Sequence, residues 1–149
     1  MHIINFLKII VCLLVTASNV YAFNCFITAV KDSCWQGYEI KIDVIDVTAD
    51  KKILSMVIPK DQDWVRVDFS CYPKQSLLYT ATFHPLIWEN NADTVYKSKH
   101  YWFLPETIKD NEIAWEISLC YTQDFAETPL PAKATGHCIC DFSKVPPIK

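Results

Sequence analysis

Six cysteines, Cys25, Cys34, Cys71, Cys120, Cys138 and Cys140, constrain what this chain can fold into more than any other feature. They follow a segment built like an export leader. Lys8 gives it an early positive charge, Ile9 to Val15 an apolar run, and Val20-Tyr21-Ala22 a small-residue cleavage site. Reading 1–22 as a cleaved signal peptide removes Cys12, the seventh cysteine, and leaves an even number. An even set in an exported chain reads as disulfides, because oxidising compartments make and keep them. The expected location is therefore the periplasm or the extracellular space.

Spacing does not fix the pairing, but strand parity narrows it. Cys71 continues the face of Val65, Val67 and Phe69, which points it toward a core. Cys120 shares the parity of Glu116 and Ser118, which points it outward. Extended backbone at 138–140 would project Cys138 and Cys140 to one side, where they can anchor the C-terminus to Cys120 and to an N-terminal cysteine. A local Cys25–Cys34 loop is the alternative.

The prevailing apolar period is two. Tyr38, Ile40, Ile42 and Val44 alternate with Glu39, Lys41 and Asp43, the pattern of a half-buried strand. The phase slips at Ile45, which predicts a bulge there. Further strands are expected at Leu54–Ile58, Val65–Phe69, Ser76–Phe83, Tyr96–Leu104 and Ile113–Tyr121. In the last, Ile113, Trp115, Ile117 and Leu119 should share the buried face. Turns are expected at Thr48–Lys51, Lys60–Asp63, Asn90–Asp93 and Lys109–Glu112, where Asn and Asp suit tight backbone. They carry extra weight because the chain has only 2 glycines. No amphipathic helix of useful length is visible; one helical turn is expected at Glu106–Lys109.

These signals predict an all-β protein: an antiparallel β-sandwich over 23–149, with an immunoglobulin-like strand arrangement as the leading guess. Pro129, Pro131, Pro146 and Pro147 make 128–149 an irregular tail, pinned by Cys138 and Cys140. No segment of the mature chain is apolar for long enough to span a bilayer.

Charge excludes one class of partner. Losing Lys8 moves the formal charge from −3 to −4, and Arg66 is the only arginine. Arginine makes the bidentate phosphate and base contacts, so nucleic acid is an unsuitable ligand. Catalytic motifs are missing too: there is no Gly-x-Ser-x-Gly and no glycine-rich phosphate loop. His84 precedes Pro85 at a strand end and reads as a turn residue. The acids Asp43, Asp46, Asp50, Asp61 and Asp63 lack calcium-loop spacing and read as solvated strand faces and turns. The motif Gly136-His137-Cys138-Ile139-Cys140 admits a redox dithiol or a zinc site, but tail-fastening disulfides explain it more simply. Nothing in the sequence asks for a metal or cofactor, and no residue stands out as catalytic.

The aromatic segment is the best candidate surface. Trp88 precedes a turn that leads into His100, Tyr101, Trp102 and Phe103. Alternation sets His100 and Trp102 against Tyr101 and Phe103, so one side should be core and the other a ring platform beside Trp88. The expected function is a non-catalytic module that binds a protein partner through Trp88, His100, Tyr101 and Trp102. A carbohydrate-binding module using Trp88 and Trp102 is the first alternative, and a thiol–disulfide protein centred on Cys138 and Cys140 the second.

Overall fold

The computed structural model describes residues 22–89 and 92–149. The signal-peptide reading falls outside them except for Ala22, and so do Asn90 and Asn91 of the Asn90–Asp93 turn. Eight strands account for the regular structure: β1 (Phe23–Lys31), β2 (Glu39–Asp46), β3 (Lys51–Ile58), β4 (Trp64–Cys71), β5 (Ser76–His84), β6 (Tyr96–Lys97), β7 (Trp102–Phe103) and β8 (Trp115–Tyr121). They form a three-stranded sheet in the order β4-β1-β8 and a five-stranded sheet in the order β3-β2-β5-β6, with β7 also on β5. The described pairs are antiparallel except β1–β8, which is parallel and departs from the all-antiparallel expectation. Apolar parity records which face of a strand is buried but not its direction, so the sequence held no sign of this.

One apolar cluster joins the sheets. Cys25, Ile27, Ala29, Ile117 and Leu119 from the first meet Ile40, Ile42, Val44, Leu77, Tyr79 and Phe83 from the second. Trp35, fully buried in a 3-10 turn at Ser33–Trp35, meets Tyr38 and Tyr121 edge-on and Phe83 at a tilt. Alternation drives this layout: β5 buries Leu77, Tyr79, Ala81 and Phe83 and leaves the intervening residues half-buried on its outer face. The β2–β3 register shifts between Val44 and Ile45, where the phase slip predicts a bulge.

The expectations fail at four places. β1 was missed as a strand, although it is the centre of its sheet: Thr28 and Val30 on its outer face are as buried as Ile27 and Ala29 on its inner face. With both faces buried, it shows no alternation. The expected Tyr96–Leu104 strand is broken, because Lys97 and Lys99 turn to pair with Ala126 and Asp124. Ile113 is 76% exposed, since the Lys109–Glu112 turn delays β8 until Trp115. Finally, Glu106–Lys109 is not helical; a 3-10 turn lies instead at Phe142–Lys144, begun by Asp141, whose carboxylate accepts from Ser143 N.

Candidate functional site

The three disulfides set the frame. Cys25–Cys71 ties β1 to β4 within one sheet, Cys34–Cys138 closes a separation of 104 residues, and Cys120–Cys140 one of 20. Cys138 and Cys140 are thus bonded to distant partners and not to each other, as the tail-fastening reading expects. Cys71 faces the core as its parity predicts. Cys120 stands on the outer face with Glu116 and Ser118, yet it is buried, because the tail lies over it. Phe142, Val145, Pro146 and Pro147 run along that face and line a depression with Thr28, Arg66, Glu116 and Ser118. Ser33 Oγ donates to His137 O at 2.9 Å, and Lys144 pairs with Asp63 at 3.1 Å.

In this depression a polar line runs across all three strands. Arg66 Nε on β4 donates to Thr28 Oγ1 on β1 at 2.9 Å, and Thr28 Oγ1 donates to Glu116 Oε1 on β8 at 2.7 Å. Arg66 Nη2 closes the triangle on the same Glu116 oxygen at 2.7 Å. Such a network fixes strand register, because each group has its partners only when the strands are aligned.

Three further polar centres escaped the sequence reading. Lys31 is buried and donates to the carbonyls of Tyr38, Pro59 and Lys60 at 2.9, 3.0 and 3.3 Å. Burial lowers its pKa, partly countered by Asp63 and Asp61. Each ammonium hydrogen has an acceptor, which makes it a clamp on the β3–β4 connection. Asp32 caps the Ser33–Trp35 turn through Cys34 N and accepts from Thr122 N and Oγ1. Among the described residues, Asp32, Cys34 and Cys138 bring three ligand-type atoms together. Both sulfurs are spent on one bond and the carboxylate on three donors, so the cluster is fully explained by structure. Asp46, expected on a solvated surface, is buried and accepts four hydrogen bonds, from Thr48 N, Ala49 N, Tyr72 OH and Gln75 Nε2. A lone Asp or Lys in a polar stretch carries no sequence mark of burial, which is why all three were missed.

The aromatic candidates do not form one platform. Trp102 lies beside Leu77, near the start of β5, and is half-buried against the core. Trp88 is 55% exposed beyond the other end of β5, past His84. Leu77 to His84 spans about 23 Å at ~3.3 Å per residue, so the two indoles lie toward opposite ends of the sheet. His100 and Tyr101 do come together, lining a depression of about 270 Å³ with Leu78, Lys97, Ser98 and Lys99. A second depression, about 580 Å³, opens on the other side of Lys97 against Thr94, Val95, Ala126 and Glu127. Three apolar side chains stand out along this stretch: Phe103 at 72%, Tyr101 at 52% and Val95 at 51% exposure. Val95 and Phe103 were not among the candidate site residues, although the parity of Phe103 with Tyr101 marked it.

Comparison with protein-family models, curated proteins and solved structures finds no match to this chain.

Proposed function

We infer that this chain is an exported, non-catalytic β-sandwich whose task is to bind a protein partner in the periplasm or extracellular space. The reading rests on one observation: Val95, Tyr101 and Phe103 expose apolar side chains along the β6–β7 stretch, beside two lysines and two shallow depressions. Exposed apolar groups rimmed by charge are what a recognition surface offers, and rigid rings supply area at small entropic cost. Lys97 and Lys99 favour a partner that is acidic around its own apolar contact. The three disulfides are consistent with an oxidising compartment, and no described helix is long and apolar enough to cross a membrane.

Two sheets sharing one core support the sandwich. The immunoglobulin-like refinement has less behind it, because Cys25–Cys71 lies within a sheet and not between the two. The carbohydrate reading loses the paired indoles it was built on. The thiol–disulfide reading loses the Cys138–Cys140 bond it needs.

A photo-crosslinking amino acid placed at Tyr101 or Phe103 in the producing cell tests the proposal, with Val57 on β3 as an exposed control. A discrete protein adduct from 101 and 103 and none from 57 is the expected result. Equal labelling at all three, or none, refutes the surface. Saturable binding on a glycan array, lost in Tyr101→Ala, would move the assignment to carbohydrate.

A further inference from the structure

The sheets leave four edges; two of them are protected and a third is capped at one end. β3 begins with Lys51 and Lys52, is bulged against β2 and is followed by Pro59. β6 is two residues long and its flank is taken by Phe125 and Ala126. On β8 the cap covers the C-terminal end alone: Cys120 N donates to Asp124 Oδ2, and Cys120 O accepts from Asp124 N. Charge, interruption and self-capping are the devices by which proteins blunt open edges.

β4 has neither interruption nor cap, and its two charges, Arg66 and Asp68, are of opposite sign. It is eight residues long and runs against β1 without a register shift; it contains no lysine or proline. Lys31 N donates to Asp63 O at 2.8 Å, which sets the phase of that ladder. Odd-numbered residues of β4 bond β1, so Trp64, Arg66, Asp68 and Ser70 turn their backbone N–H and C=O groups to the open side. Among the described residues, none takes these groups.

We propose that β4 pairs antiparallel with β4 of a second copy of this chain, about a two-fold axis at Val67, making one continuous sheet. Its own charge pattern selects that occupant and that register. With Val67 opposite its counterpart, Arg66 of each copy faces Asp68 of the other, and Trp64 faces Ser70. All four open residues are used, for about eight backbone hydrogen bonds at two per facing pair. Slipping the register by two residues either way sets Arg66 against Arg66 or Asp68 against Asp68, and like charges directly opposite are unfavourable. Asp68 is exposed and makes no hydrogen bond or ion pair in the structure. Arg66 uses two of its donors within its own sheet and keeps the rest. On the inner face, half-buried Val65 would lie opposite Phe69, and Val67 opposite Val67, extending the apolar layer across the join. An isologous pairing of this kind closes as a dimer. It does not depend on the partner surface at Tyr101 and Phe103.

Sedimentation velocity of the oxidised protein, from about 1 µM to about 1 mM, should show a reversible monomer–dimer equilibrium. Asp68→Lys sets two like-charge pairs across the axis and should weaken the dimer roughly tenfold. Asp68→Pro removes an N–H that faces the open edge, not the β1 ladder, so it should abolish the dimer while the circular-dichroism melt stays in place. In hydrogen exchange, the Arg66 and Asp68 amides should gain protection with concentration while Ser55 and Val57 on β3 do not. A wild type that stays monomeric throughout overturns the proposal. So does a dimer indifferent to both substitutions, which would belong to another edge.

Discussion

Asp46 offers the sharpest test of how this fold is held. It sits at the end of β2 with 3% of its surface exposed. Oδ1 accepts from Thr48 N at 2.9 Å and Ala49 N at 3.1 Å, while Oδ2 accepts from Gln75 Nε2 at 2.8 Å and from the Tyr72 hydroxyl. Burial by itself would raise its pKa, but the four donors outweigh burial and hold it below the ordinary carboxylate value. Asp46→Asn keeps the shape and removes the charge. The two turn amides keep an oxygen, Tyr72 can rotate to accept, and the buried Gln75 amide meets another amide donor. Losing charge assistance and stranding one buried donor costs about 2–3 kcal/mol. Asp46→Ala strands the Gln75 and Tyr72 donors and opens a small void, for about 3–5 kcal/mol, while water serves the exposed Thr48 and Ala49 amides. Urea unfolding followed by tryptophan fluorescence reads both. Because the folded pKa is depressed, the stabilisation is present above the unfolded value of about 3.9 and is lost as pH falls through the folded value. The gap between wild type and Asp46→Asn should therefore narrow in acid. An Asn variant within about 0.5 kcal/mol of wild type at neutral pH, or a gap that acid leaves unchanged, refutes the reasoning.

Three other outcomes follow from the same structure. Replacing disulfides pairwise with alanine should cost most at Cys34/Cys138, which closes 104 residues, less at Cys25/Cys71 with 46, and least at Cys120/Cys140 with 20. Loop-closure entropy gives about 4.7, 4.0 and 3.3 kcal/mol in that order, and urea midpoints that invert it refute the entropic account. In alkali, Tyr72 is pushed up to about 12 by its bond to Asp46 and then by burial, while burial raises Tyr79, Tyr96 and Tyr121. Their stabilisation is intact below the unfolded value of about 10 and is lost as pH rises past it, so their tyrosinate absorbance should appear together with unfolding; ionisation of all four with circular dichroism intact contradicts this. Trp35→Ala empties the centre of the ring cluster and should cost about 3–5 kcal/mol, whereas Trp88→Ala at an exposed site should stay within about 0.5 kcal/mol; similar melting shifts for the two would show the core misplaced.

What the sequence made legible is what period two records. β2 announced its inner face and its bulge through Val44 and Ile45, and β4 announced the core side of Val65, Val67, Phe69 and Cys71. β1 stayed hidden because the tail buries Thr28 and Val30 from outside, and a strand covered on both faces loses the alternation that marks it. Cys120 shows the same cause: its outward parity was read correctly, but its burial depends on a tail more than a dozen residues further on. Tyr101 and Phe103 could be grouped by parity, yet separating Trp88 from Trp102 required knowing how far β5 runs between them. The buried Asp46 and Lys31 were out of reach, since their partners are scattered backbone groups that leave no local pattern.

The tail decides which surfaces this protein can offer. The outer face of the three-stranded sheet would be an open β-face like its counterpart, but Cys34–Cys138 and Cys120–Cys140 fasten residues 138–147 across it. Beside the tail the Arg66–Thr28–Glu116 triangle, anchored on buried Thr28 and open to water at Glu116, keeps β4 aligned with β1. An edge held straight in this way is pre-organised to accept another strand, since little conformational freedom remains to be lost on pairing. The five-stranded sheet has no equivalent cover among the described residues, and its outer side carries the exposed Phe103. One sheet is thus partly covered on its face and open at its β4 edge, and the other is blunted at its edges and open on its face. Self-association and partner binding can then occupy different surfaces at once, so Asp68→Pro should leave crosslinking from Phe103 intact. Loss of both together would mean that the partner recognises the dimer and not the single chain.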